Sequence, residues 1–157
     1  MGHGVNLTSP LLRASQRLLL TAPVLSVGAG MTLIPGLEVY LQPGWYHLEF
    51  HPHYNVSATN VGTGWNFQGG SAVLTDYAFR SWLPSTATAA YFNAYASRSQ
   101  NFTTAQTSRA GGNRGRIEAD FRVVGGGTLV PHFRSETAGG LVTLLPGSFL
   151  RVDWLGG

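Results

Sequence analysis

Strand-like alternation, broken at short intervals by Pro-Gly and Gly-Gly, decides most of what this chain can become. In Trp45-Tyr46-His47-Leu48-Glu49-Phe50-His51, Tyr46, Leu48 and Phe50 face one side, and His47, Glu49 and His51 face the other. A two-residue period of this kind marks a half-buried antiparallel strand. Leu37 to Leu41 alternates likewise, and Pro43-Gly44 between the two runs reads as a hairpin turn. Ser71 to Trp82, Thr86 to Ser97, Arg116 to Val124, Thr128 to Ser135, Leu141 to Leu145 and Ser148 to Leu155 continue the pattern. Gly125-Gly126-Gly127, Gly139-Gly140 and Pro146-Gly147 punctuate it. About nine or ten strands with such turn spacing predict an all-β, two-sheet antiparallel sandwich or barrel. The Ala-rich stretch 87–96 is the one rival for helix, and its aromatics and Thr favour strand. Asn101 to Gly115 is polar and Gly-rich at its end, and reads partly as a long surface loop.

The 157 residues amount to one domain, preceded by a polar arm over 1–16, with the sandwich over 17–157. Arg13 and Arg17 ahead of Leu18-Leu19-Leu20 loosely imitate a signal peptide. Thr21, Pro23 and Ser26 interrupt that apolar run, so the segment reads instead as an arm entering the first strand. No run of apolar residues is long enough for a membrane-spanning helix, and no membrane partner is expected. Charged residues are 11% of the chain, where an ordinary soluble domain has about 25%. All ten cations other than His are Arg. They form no basic run, so no nucleic-acid partner is expected. Arg without Lys suits a surface that meets other subunits.

The absence of Cys removes disulfides, thiolate metal sites and cysteine nucleophiles. No Gly-x-Ser-x-Gly elbow occurs, and the Gly-rich stretch 111–116 lacks the Lys-Ser/Thr ending of a phosphate loop. Glu118 and Asp120 share a strand face with Arg116 and Arg122, so mutual ion pairing accounts for them without catalysis. The chain therefore reads as non-enzymatic and without a cofactor. The competing constellation is His47, Glu49, His51 and His53. On one ideal strand these four project from the same face about 7 Å apart, and imidazole and carboxylate suit zinc, iron or nickel. His-x-His with a Glu on a jelly roll resembles the metal-binding cupins. The cupin pattern departs at residues 54–58, which supply no Glu, and Pro52 stands between His51 and His53. Metal at these four residues is thus the lesser reading.

Ile117 to Val123, Gly127 to Ser135 and Leu144 to Val152 resemble strands of bacteriophage virion proteins that carry a C1q/TNF-like jelly roll. Ile34 to Val39 and Pro43 to Glu49 resemble the early strands of the same modules. The resemblance covers roughly residues 18–157. It implies a two-sheet antiparallel jelly-roll sandwich that assembles as a homotrimer on the capsid exterior. Apolar strand residues would line the threefold axis, with Tyr46, Phe121, Phe149 and Trp154 as candidates. The short arm is too brief for a fibre shaft, so the resemblance points to a capsid decoration (cement) protein bound to the major capsid protein. Gly2, His3, Asn6, Arg13 and Arg17 would then be the arm's partner-binding residues. The alternative placement is a tail or fibre component that recognises a host-surface glycan or protein.

Overall fold

The computed structural model describes residues 15–27, 30–84, 90–95, 102–104, 107 and 109–157. These residues form strands and turns, and every strand pairing among them is antiparallel. The largest sheet has six strands in the order β1 (Gln16–Leu19), β15 (Phe149–Gly156), β5 (Gly44–His51), β12 (Arg116–Gly125), β8 (Val73–Pro84) and β9 (Ala90–Tyr95). A second sheet runs β10 (Phe102–Thr104), β7 (Thr63–Gly69), β13 (Gly127–Ser135), β3 (Thr32–Leu33), and β4 (Val39–Leu41) pairs with the start of β13. A third runs β11 (Asn113–Arg114), β6 (His53–Val56), β14 (Leu141–Leu144), β2 (Val24–Val27). The expected all-β antiparallel sandwich is what the chain forms.

The alternation of β5 explains the layering. Tyr46, Leu48 and Phe50 are buried, while His47, Glu49 and His51 are half-buried on the other face. Aromatic side chains then tie the sheets together. Phe50 of the six-stranded sheet meets Trp65 and Phe67 of the second sheet at ring-centroid distances of 5.9 and 6.1 Å. Phe67 stacks on Phe79 at 5.7 Å, and Trp65 on Phe133 at 5.5 Å. Such pairs add about 0.5–1.5 kcal/mol each beyond the area they bury.

The strands outnumber the sequence expectation because long runs change sheets at a corner. Pro52 ends β5 in the six-stranded sheet, and β6 continues in the third. Gly115 does the same between β11 and β12, and Pro146-Gly147 between β14 and β15. Pro52 has no N–H to give a ladder, and its carbonyl instead accepts from the Gly115 N–H at 2.9 Å. The 101–115 stretch read as a loop contains β10 and β11, each paired to a neighbouring strand. At the other end, the arm's last residue, Gln16, already belongs to β1.

Candidate functional site

The polar cluster sits on the outer face of the six-stranded sheet, where register stacks charged side chains across four strands. Arg151, Glu49, Glu118 and Arg80 form one cross-strand row over β15, β5, β12 and β8. Asp153, His47 and Asp120 form the next row over β15, β5 and β12. Side chains at directly opposed positions lie within reach of one another. His47 Nδ1 is 2.7 Å from Asp120 Oδ1, and His47 Nε2 is 3.6 Å from Glu49 Oε1. His51 Nε2 approaches the other Glu49 oxygen at 3.4 Å. Arg116 contacts Glu118 and lies 3.7 Å from Glu49 Oε1, while Arg80 reaches Asp120 at 3.3 Å. Burial pushes the Glu49 carboxyl up. The hydrogen bond from His51, the Arg116 charge and the His47 contact outweigh it, so Glu49 titrates below its ordinary range.

His47, Glu49 and Glu118 each offer a ligand atom within 4.8 Å of the other two, and Glu118 is buried. Of the four sequence candidates, the structure keeps His47, Glu49 and His51 on one face and separates His53. Pro52 sends His53 into the third sheet, where it pairs with Arg114 of β11. His53 is therefore not part of a four-residue ligand set. Glu118 and Asp120 enter in its place, and the sequence signal for them was their shared face on an alternating strand. Which strand would lie beside β5 was not legible, so they read as pairing only with arginines.

The corner forms a cleft of about 380 Å³ lined by His51, His53, Arg114, Phe149 and the turn residues. Phe149 is held on both sides: His51 stacks on it at 4.4 Å, and the Arg17 guanidinium lies 4.4 Å from its centroid. Arg17 thus has a contact within the subunit, while Gly2, His3, Asn6 and Arg13 lie outside the described residues.

Two expected interface residues belong to the subunit's own core. Tyr46 is 7% and Phe121 0% exposed, and their rings stack at 5.9 Å. Both point inward with Leu48 and Phe50, and the opposed sheet already covers that face. Neither reaches a surface that a neighbour can touch. Phe149 is half-buried, and Trp154 is half-buried against the core. Ten large apolar side chains among the described residues are exposed, and half of them share one region. Tyr40, Trp45, Val73, Val124 and Leu155, between 41 and 63% exposed, gather at the end of the sandwich opposite the corner. Register places them there: Trp45 pairs with Arg122 and Gly156, Val73 with Gly125, and Tyr40 with Thr128. The sequence signal for this surface is Trp45, the apolar member on the polar face of an alternating run.

No protein-family model matches the chain, and no curated protein matches it. Among the described residues, no helix is long and apolar enough to cross a membrane.

Proposed function

We propose that this chain is a non-enzymatic structural protein of a bacteriophage virion, a homotrimeric capsid decoration protein that braces neighbouring major capsid subunits on the capsid exterior. The observation that carries this reading is the apolar end of the sandwich. Tyr40, Trp45, Val73, Val124 and Leu155 stay exposed in a chain with few charges. Isolated exposed apolar residues are ordinary, but several gathered at one end favour a contact surface.

The charges support the same reading. Glu49, Glu118, Asp120, Glu136 and Asp153 each sit beside an arginine. Charges neutralised within the subunit do less to hold copies apart than isolated ones. Closed symmetry hides apolar surface that a monomer leaves in water. At about 25 cal/mol per Å² of apolar area, an interface of ordinary size offsets the cost of association. Repetition over a shell multiplies the effect.

A second reading, a tail or fibre component that binds a host-surface glycan or protein, is favoured by the corner cleft. Among the described residues, neither Arg114 nor His53 has a side-chain hydrogen bond or ion pair, and both line that cleft. Light scattering on the purified chain, followed by co-sedimentation with mature capsids, tests the two. A trimer that binds capsids at fixed copy number supports decoration. A trimer that binds host cells and not capsids supports the appendage. A monomer that binds neither overturns both.

A further inference from the structure

We propose that His47, Glu49 and Glu118 form a binding site for a zinc-class divalent cation, with Asp120 orienting His47 from outside the coordination sphere. The site lies on the sheet's outer face, two residues along β5 from Trp45 of the apolar end, and the proposal does not depend on the structural role.

The geometry of His47 comes first. An ionised carboxylate only accepts, so Nδ1 donates its proton to Asp120 Oδ1 across 2.7 Å. In the neutral ring this leaves a lone pair on Nε2, which faces Glu49 Oε1 at 3.6 Å. Two acceptors facing each other repel unless a proton or a metal cation stands between them, and either would fill the same gap. A carboxylate on the far nitrogen of a metal-binding imidazole is the usual way its tautomer is fixed and its basicity raised.

The spacing is right for a metal. Zinc bonds to imidazole nitrogen and carboxylate oxygen are about 2.0–2.2 Å, which makes the edge of a tetrahedral site about 3.3–3.6 Å. The His47 Nε2 to Glu49 Oε1 separation of 3.6 Å is such an edge. Glu118, directly opposite Glu49 in the β5–β12 register, brings the third ligand atom within 4.8 Å of the others. Both strands lie inside the six-stranded sheet, so the ligands stand on rigid elements. Three protein ligands on an outward face leave a fourth position for water.

Arg116 is the competitor. Its guanidinium contacts Glu118 and lies near Glu49, so it occupies the charge that the cation would neutralise. In the same position its guanidinium carbon lies 5.8 Å from the centroid of the Trp82 ring, which gives the freed side chain a nearby aromatic face. A cation at the site therefore displaces Arg116 from the carboxylates toward Trp82.

Titration of the 157-residue chain with cobalt(II), followed by visible absorption, with zinc(II) added in competition, tests this. One equivalent should bind with the absorption of a low-coordinate nitrogen–oxygen site, and zinc should abolish it. His47→Gln should remove the band, and Asp120→Asn should weaken binding about tenfold or more. Arg116→Ala should tighten it, a gain that misfolding cannot imitate. Absence of binding at millimolar cobalt in both the wild type and Arg116→Ala would show an ion-pair network only and overturn the proposal. A band unchanged in His47→Gln would overturn it too. A chain that is trimeric and cobalt-free loses this site and keeps its proposed structural role.

Discussion

The Tyr54 hydroxyl is buried among core side chains and closes no hydrogen bond among the described residues. Burial raises it above the ordinary tyrosine range, and the nearby Thr63 hydroxyl opposes that only in part. Thr63 is already engaged, accepting from Trp65 Nε1 at 2.9 Å. A buried polar group without a partner costs about 1–3 kcal/mol, so Tyr54→Phe should stabilise the fold by about 1 kcal/mol in urea unfolding at neutral pH. A loss of stability would mean that the hydroxyl has a partner, such as an ordered water. The sign with pH follows from the raised folded value. Stability is full below 10.0, the unfolded value, and falls as pH climbs beyond it, a loss Tyr54→Phe should lessen. Glu49 runs the opposite way. Its folded value lies below the unfolded value of 4.5, so its contribution is present above pH 4.5 and disappears as pH falls through the folded value. Measured with chelator present, the stability gap between wild type and Glu49→Gln should be widest near neutrality and close in acid. A constant gap from pH 7 to pH 3 would contradict this account of Glu49.

Among elements, the corner decides which residues meet. The alternation of β5 was legible, because a strand with one face buried shows its period in its own residues. The change of sheet at Pro52 was legible only as a disturbance. Proline says where a ladder stops, not where the chain goes next. That is why His53 was grouped with His47, Glu49 and His51, and why Glu118 and Asp120 were not. Their nearness comes from β12 pairing with β5, a contact between residues far apart in sequence. The corner itself rests on small residues. A Cβ on Gly115 would lie 2.7 Å from Leu83 Cδ2 and 3.1 Å from Pro52 Cγ. Gly115→Ala must therefore push the buried Leu83 or the Pro52 hinge aside. The expected cost is about 1–3 kcal/mol, the range for overpacking a well-filled core. Chemical denaturation measures it, and a neutral result would show that the corner has slack.

At the scale of the whole molecule, the question is what covers the apolar end. The resemblance-based choice of Tyr46 and Phe121 as contact residues failed for a simple reason: a side chain that fills its own sandwich is not available to a neighbour. The surface left over includes Trp45, on the face of β5 opposite Tyr46, and Leu155 beyond Trp154. Gly44 between them keeps this end tight. At φ 150°, a Cβ there would lie 2.5 Å from Trp154 Nε1, so Trp154 packs directly on the backbone and leaves Leu155 outside. If copies of the chain associate through this end, Trp45→Glu and Leu155→Glu should each raise the dissociation constant at least about tenfold. That corresponds to about 1.4 kcal/mol, less than the burial of one large apolar side chain usually contributes. Because both side chains are exposed in the subunit, thermal unfolding of the dissociated variants should still be cooperative. Tyr46→Glu should behave differently and lose the fold itself, since it places a charge in the core. Sedimentation of the three variants over a concentration series separates these outcomes. Unchanged assembly in both Trp45→Glu and Leu155→Glu would move the contact surface away from this end. Among the described residues, the other exposed large apolar side chains, Leu19, Leu25, Leu33, Trp82 and Leu141, would then be the next surface to alter.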